Sequence, residues 1–112
     1  MTTMLTSPTK FKKVCRAAGS HWFSPATMRF FNTEVLTWRM LPDGHALFVT
    51  SERYSLSHER RYSLRFAHQD GRVETLGPFG AYATIEEANA GLARCFDLYN
   101  GPETIISHRE AF

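Results

Sequence analysis

Along the 112 residues the spacing of apolar positions changes twice, from a helical period to strict alternation and back to a helical period. Phe11, Val14, Cys15 and Ala18 fall at i, i+3, i+4 and i+7, one apolar face of a helix. Ser7 precedes it as a cap, Pro8 holds the first helical position, and Gly19 offers a left-handed stop. Lys10, Lys12, Lys13 and Arg16 occupy the rest of its surface. Ser24 and Pro25 repeat the start signal, but only six or seven residues remain before Asn32, enough for one short helix. Trp22, Phe23, Met28, Phe30 and Phe31 make this the densest apolar cluster of the chain. Such a cluster plugs one end of a core or, where it stays exposed, marks a partner site.

From Glu34 the period drops to two. In "EVLTWRML" Leu36, Trp38 and Met40 share one face and Val35, Thr37 and Arg39 the other, a half-buried strand, and "PDGH" supplies a tight reversal. "ALFVTS" returns, with Leu47-Phe48-Val49 apolar on both parities, as a central strand requires. "RRYSLRFA" alternates again, Tyr62, Leu64 and Phe66 against Arg61, Ser63 and Arg65. "HQDG" turns the chain, and "RVETL" completes a second hairpin.

"GPFGAY" ends the strands. Thr84 with Glu87 three residues on forms a capping box, and Ile85, Ala88, Leu92, Cys95, Phe96 and Tyr99 trace a helical stripe. Gly91 weakens that helix by up to about 1 kcal/mol relative to Ala, which close approach to the sheet would justify. "NGPE" closes the helix, and "TIISHREAF" reads as a short edge strand or a frayed tail. The expected fold is a single α+β domain over residues 1–112, with residues 1–6 and 102–112 as loose ends. It is a four-stranded antiparallel meander with an N-terminal helix, a short second helix and a C-terminal amphipathic helix. Short connections place the two amphipathic helices on one face of the sheet. The other face, with Thr37, Arg39, Ser63 and Arg65, is then expected to be wet.

Composition agrees with a packed core: nine Phe, four Tyr and two Trp are present among 43% hydrophobic residues. Cys15 and Cys95 are too few for a disulfide framework and lack C-x-x-C spacing, which suits a reducing compartment. No run is long and apolar enough to span a membrane, and Met1 to Pro8 lacks signal-peptide order, so a cytoplasmic location is expected. Net charge is +2, but residues 1–72 carry eleven Lys/Arg against five Asp/Glu, and residues 73–112 carry two against six. That asymmetry could attract an anionic partner.

Catalytic and metal signatures are missing from this pattern. His21, His45, His58, His68 and His108 include no i, i+4 helical pair, so no metal or other cofactor is expected. Both cysteines lie on apolar helical faces, unsuited to a reactive thiolate. Glu52, His58 and Glu59 could form a loop site, although surface ion pairing with neighbouring arginines explains the carboxylates more simply. Nucleic-acid binding is better motivated. Arg53, Tyr54, His58, Arg60, Arg61, Tyr62, Arg65 and Arg72 mix phosphate-pairing guanidinium groups with aromatics. Strand alternation, however, turns Tyr62 away from Arg61 and Arg65.

The runs "HWFSPATMRFFNTEV", "FVTSE", "RRYSLR" and "DGRVETLGPFGAYAT" resemble a group of small uncharacterised proteins of bacteriophages and bacterial mobile elements. The likeness spans roughly residues 20 to 90. It omits "LTWRMLPDGHA" and the tail after Gly101, and it brings no activity or catalytic residue with it. What the resemblance implies is an accessory protein that binds a host protein or nucleoprotein complex and blocks an anti-phage defence system, as anti-CRISPR proteins do. Arg39, Arg61 and Arg65 on the sheet, and Arg53, Tyr54, His58 and Arg60 in the following loop, are its expected partner-binding residues.

Overall fold

A computed structural model describes residues 4–53, 57–101 and 107–108. The chain runs α1 (Pro8–Ala18), α2 (Pro25–Phe30), β1 (Glu34–Met40), β2 (Ala46–Glu52), β3 (Arg61–Ala67), β4 (Val73–Leu76), α3 (Ile85–Leu98) and β5 (Ser107–His108). The strands form one sheet in chain order, β1 to β4 as an antiparallel meander, with the two residues of β5 antiparallel to β4. This is the α+β fold expected from the hydrophobic pattern.

Each start signal works as its chemistry requires. The hydroxyls of Ser7, Ser24 and Thr84 accept the backbone N–H of Lys10, Thr27 and Glu87, satisfying donors that a helix N-terminus otherwise leaves open. Gly19 ends α1 at φ 74°, the left-handed conformation glycine adopts without strain. Leu5, in the segment expected to be a loose end, is fully buried; its N–H donates to the Gly44 carbonyl at 2.9 Å and its carbonyl accepts the Trp38 indole N–H at 3.0 Å.

The sheet is covered on both faces, which corrects the expectation of one dry and one wet face. Leu47, Val49, Leu64, Phe66 and Leu76 pack with Leu41 against Ala88 and Leu92 of α3. On the opposite face Ala46, Phe48 and Ala67 pack with Leu5 and with Phe11 and Cys15 of α1, flanked by Trp22, Phe23 and Trp38. The reason is β2: with both parities apolar, each of its faces needs a cover, and one helix layer cannot supply two. Ser63 and Arg65, expected in water, are buried on the α1 side.

A second correction concerns β1. Its register pairs Val35 with Thr50 and Trp38 with Phe48, so three steps along β1 match two along β2. This bulge reverses the side-chain parity. Val35 joins Trp38 on the α1 side, Leu36 is left exposed, and Thr37 and Arg39 turn toward α3. There the Thr37 hydroxyl donates to Asn89 at 2.6 Å, and the Arg39 guanidinium stacks 3.5 Å from the Phe96 ring centroid.

Gly91 does mark a close approach. A Cβ there would lie 2.8 Å from Cζ of Tyr82, whose backbone bridges to Tyr62 through two hydrogen bonds of 2.9 and 3.0 Å.

Candidate functional site

The α1 side of the sheet carries an unusual floor. Arg65 and Glu52 are only 2% and 3% exposed, and their ion pair closes at 2.7 Å. The Arg65 guanidinium also donates to the Thr50 hydroxyl at 3.0 Å and the Thr75 hydroxyl at 2.7 Å. Glu52 accepts from Thr50 and from Ser63 at 3.1 Å, and Ser63 in turn accepts the Gly80 N–H at 2.8 Å. Among the described residues no buried side-chain nitrogen or oxygen lacks a partner. Two charges can be held this far from water only when paired and hydrogen-bonded together, and this network does both. Strand geometry explains the assembly: Thr50 and Glu52 on β2 share a face with Ser63 and Arg65 on β3, Thr50 lies directly across from Ser63, and the long Arg65 side chain, starting opposite Phe48, runs past that pair to reach Glu52.

Aromatic rings roof the floor. Trp22 and Phe79 each place a ring centroid 5.6 Å from the Arg65 guanidinium, and Phe31 packs on Phe79 at 5.6 Å. Between them opens a cavity of about 350 Å³ lined by Trp22, Thr27, Met28, Phe30, Phe31 and Arg65, within the size range of ligand pockets. Its outer wall is α2, a helix without one buried residue, whose Phe30 is 65% exposed. Because the guanidinium and the carboxylate neutralise each other, an entering group meets apolar walls and a polar floor of no net charge. Such a site accepts a bulky apolar side chain better than an anion.

The expected arginine surface is divided by the fold. Arg61 and Arg65 share a face, but Arg61 is exposed and donates to the Gly80 and Ala81 carbonyls at 2.9 and 3.4 Å, while Arg65 is buried. Arg39 lies on the other side of the sheet against Phe96. Arg60 donates to the Asn32 carbonyl at 3.1 Å and Ser51 at 2.8 Å, and pairs with Glu34 at 3.4 Å. The Arg53 N–H donates to the Phe31 carbonyl at 2.7 Å, and His58 is exposed. Tyr54 lies outside the described residues. Glu52 is no loop residue: it ends β2, and its ion pair is buried rather than superficial. Among the described residues no three His, Cys, Asp or Glu side chains gather as metal ligands.

Titratable groups do meet at the far end of the α3 face. His68 Nε2 lies 2.8 Å from Glu74 and its ring 5.6 Å from His45, whose Nδ1 accepts the Gln69 N–H at 3.1 Å. Burial pushes the His45 pKa below its ordinary value, reinforced by His68 and Arg72 and opposed by Asp43 and Asp70. Burial likewise pushes the Cys15 and Cys95 thiols up, which keeps both protonated and unreactive at neutral pH. The His45 group ties two hairpin turns together.

A model of a family of unknown function, DUF7447, matches residues 7–93, from the cap of α1 into α3. No curated protein and no solved structure matches the chain. No helix among the described residues is long and apolar enough to cross a membrane.

Proposed function

The chain belongs to DUF7447, a family of unknown function, and from that premise we propose that it is a small non-catalytic protein that captures a host protein through the cavity beside α2. The observation that carries the reading is α2 itself, six residues including Met28 and Phe30, with none buried. A helix this apolar that covers nothing completely leaves free energy for a partner to release. Covering Phe30 alone is worth about 1–2 kcal/mol given its exposure. The likeness to phage and mobile-element proteins supplies the setting: the captured protein belongs to a bacterial defence system, and capture inhibits it in the manner of an anti-CRISPR. Nucleic-acid binding through the arginines has less support, since Arg60, Arg61, Arg65 and Arg72 all bond acceptors within the chain.

The test uses the whole chain and its Phe30→Ser variant as bait in bacterial lysates, with retained proteins identified by mass spectrometry. One protein held by the wild type and lost by the variant, at unchanged melting temperature, is the expected result. Equal retention by both, or no retained protein from several bacterial hosts, overturns the reading.

A further inference from the structure

Residues 1–33 contain five Lys or Arg and no Asp or Glu. The first carboxylate of the chain, on Glu34, is 3.4 Å from Arg60. This acid-free stretch supplies α1 and α2, and α2 stands between two concavities. On one side is the apolar cavity over Arg65. On the other is a cleft of about 240 Å³ lined by Lys12, Arg16, Ser20, Phe23 and Pro25. Lys12 and Arg16 are both exposed, and the Lys12 ammonium sits 5.6 Å from the Phe23 ring centroid. Among the described residues no acidic side chain lines either hollow. An apolar socket and a cationic cleft therefore lie within one short helix of each other.

Resting on the reading that the chain captures a partner protein, we infer that the α1–α2 surface receives an extended acidic segment of that partner. One bulky apolar side chain of the segment fills the cavity beside Met28 and Phe30, and Asp or Glu residues flanking it reach Lys12 and Arg16. Charge complementarity selects this occupant: a basic segment would meet uncompensated like charge on α1, and a neutral one would leave the cationic cleft unused. The apolar socket separates it from a nucleic acid, whose affinity comes mainly from phosphates and stacked bases, with no call for a net-neutral cavity.

A random linear peptide display library, selected on the whole wild-type protein, tests the inference. The expected peptides carry one Trp, Phe, Leu or Met flanked by Asp and Glu. A synthetic copy binds about tenfold or more weakly to Lys12→Glu/Arg16→Glu, and also loses affinity to Phe30→Ser and on raising salt. A Lys12→Gln/Arg16→Gln variant, with the same melting temperature as wild type, keeps the charge effect separate from folding. Selected peptides without an acidic excess, no selected peptide at all, or affinity indifferent to charge reversal overturns the inference. So does a single-stranded oligonucleotide that binds with the same charge dependence while acidic peptides do not. A host protein retained through Phe30 alongside any of these outcomes leaves partner capture standing and removes only the acidic segment.

Discussion

The two faces of the sheet are covered in different ways. On the α3 side one fourteen-residue helix lays a continuous stripe over Leu47, Val49, Leu64 and Phe66. On the α1 side the cover is split between an eleven-residue helix and a six-residue one, and the sheet answers with a charged, hydrogen-bonded floor where that cover is thin. The α3 face is closed and apolar throughout its centre. The α1 face is closed at Phe11 and Phe48 and open at Phe30. Stability rests chiefly on the first face and the buried network, and the proposed partner site lies at the unfinished edge of the second.

The largest loss of stability is expected at the network. Glu52→Ala leaves the buried Arg65 guanidinium unpaired and is expected to cost about 3–5 kcal/mol in denaturant unfolding. Replacing both partners, as Glu52→Leu/Arg65→Met, recovers part of that loss, because no isolated charge then remains. Next comes the closed face, where Leu92→Ala removes buried volume beneath α3 and costs about 2–4 kcal/mol by the same measurement. Gly91→Ala probes the close approach of α3 to Tyr82. Ala favours a helix by up to about 1 kcal/mol, yet the added methyl meets Tyr82, so the variant is expected to lose about 1–3 kcal/mol and to regain stability in a Tyr82→Ala background.

A pH series distinguishes the faces more gently. His45, whose ring packs 5.3 Å from Phe66, has a folded-state pKa below its ordinary 6.5. The unfolded chain therefore takes up the proton first as pH falls. Stability from this group is complete above that ordinary value and is lost as pH drops through it toward the folded-state value. His45→Asn, which keeps an acceptor for the Gln69 N–H, is expected to flatten that part of the curve. Melting temperature followed from pH 8 to pH 5 checks it. The smallest stability effect belongs to Phe30→Ser, within about 0.5 kcal/mol.

Much of this was readable from spacing and caps. Ser7, Ser24 and Thr84 marked the helix starts, and alternation placed Tyr62, Leu64 and Phe66 opposite Arg61, Ser63 and Arg65. What alternation cannot state is whether a face is covered, since it reports parity and not the layer above it. Leu47-Phe48-Val49 held the clue, because a strand apolar on both parities needs two covers. The bulge after Val35 was hidden because an extra residue between two apolar positions leaves no mark in composition. Glu52 and Arg65 stand thirteen residues apart and meet only through the β2–β3 register, so their charges read as surface residues. The Trp22 to Phe31 cluster was visible, but its division was not: Trp22 and Phe23 pack inward, whereas Phe30 stays out.

The closed face and the buried network hold the fold, and the edge at α2 contributes little to it, as the proposed partner site requires. Thermal melting of Phe30→Ser beside Leu92→Ala tests this most directly. The account predicts a Phe30→Ser midpoint within about 3 °C of wild type and a Leu92→Ala midpoint lower by about 10 °C or more. A Phe30→Ser midpoint as low as that of Leu92→Ala would contradict it, because α2 would then be a plug for the core and not a surface held ready for binding.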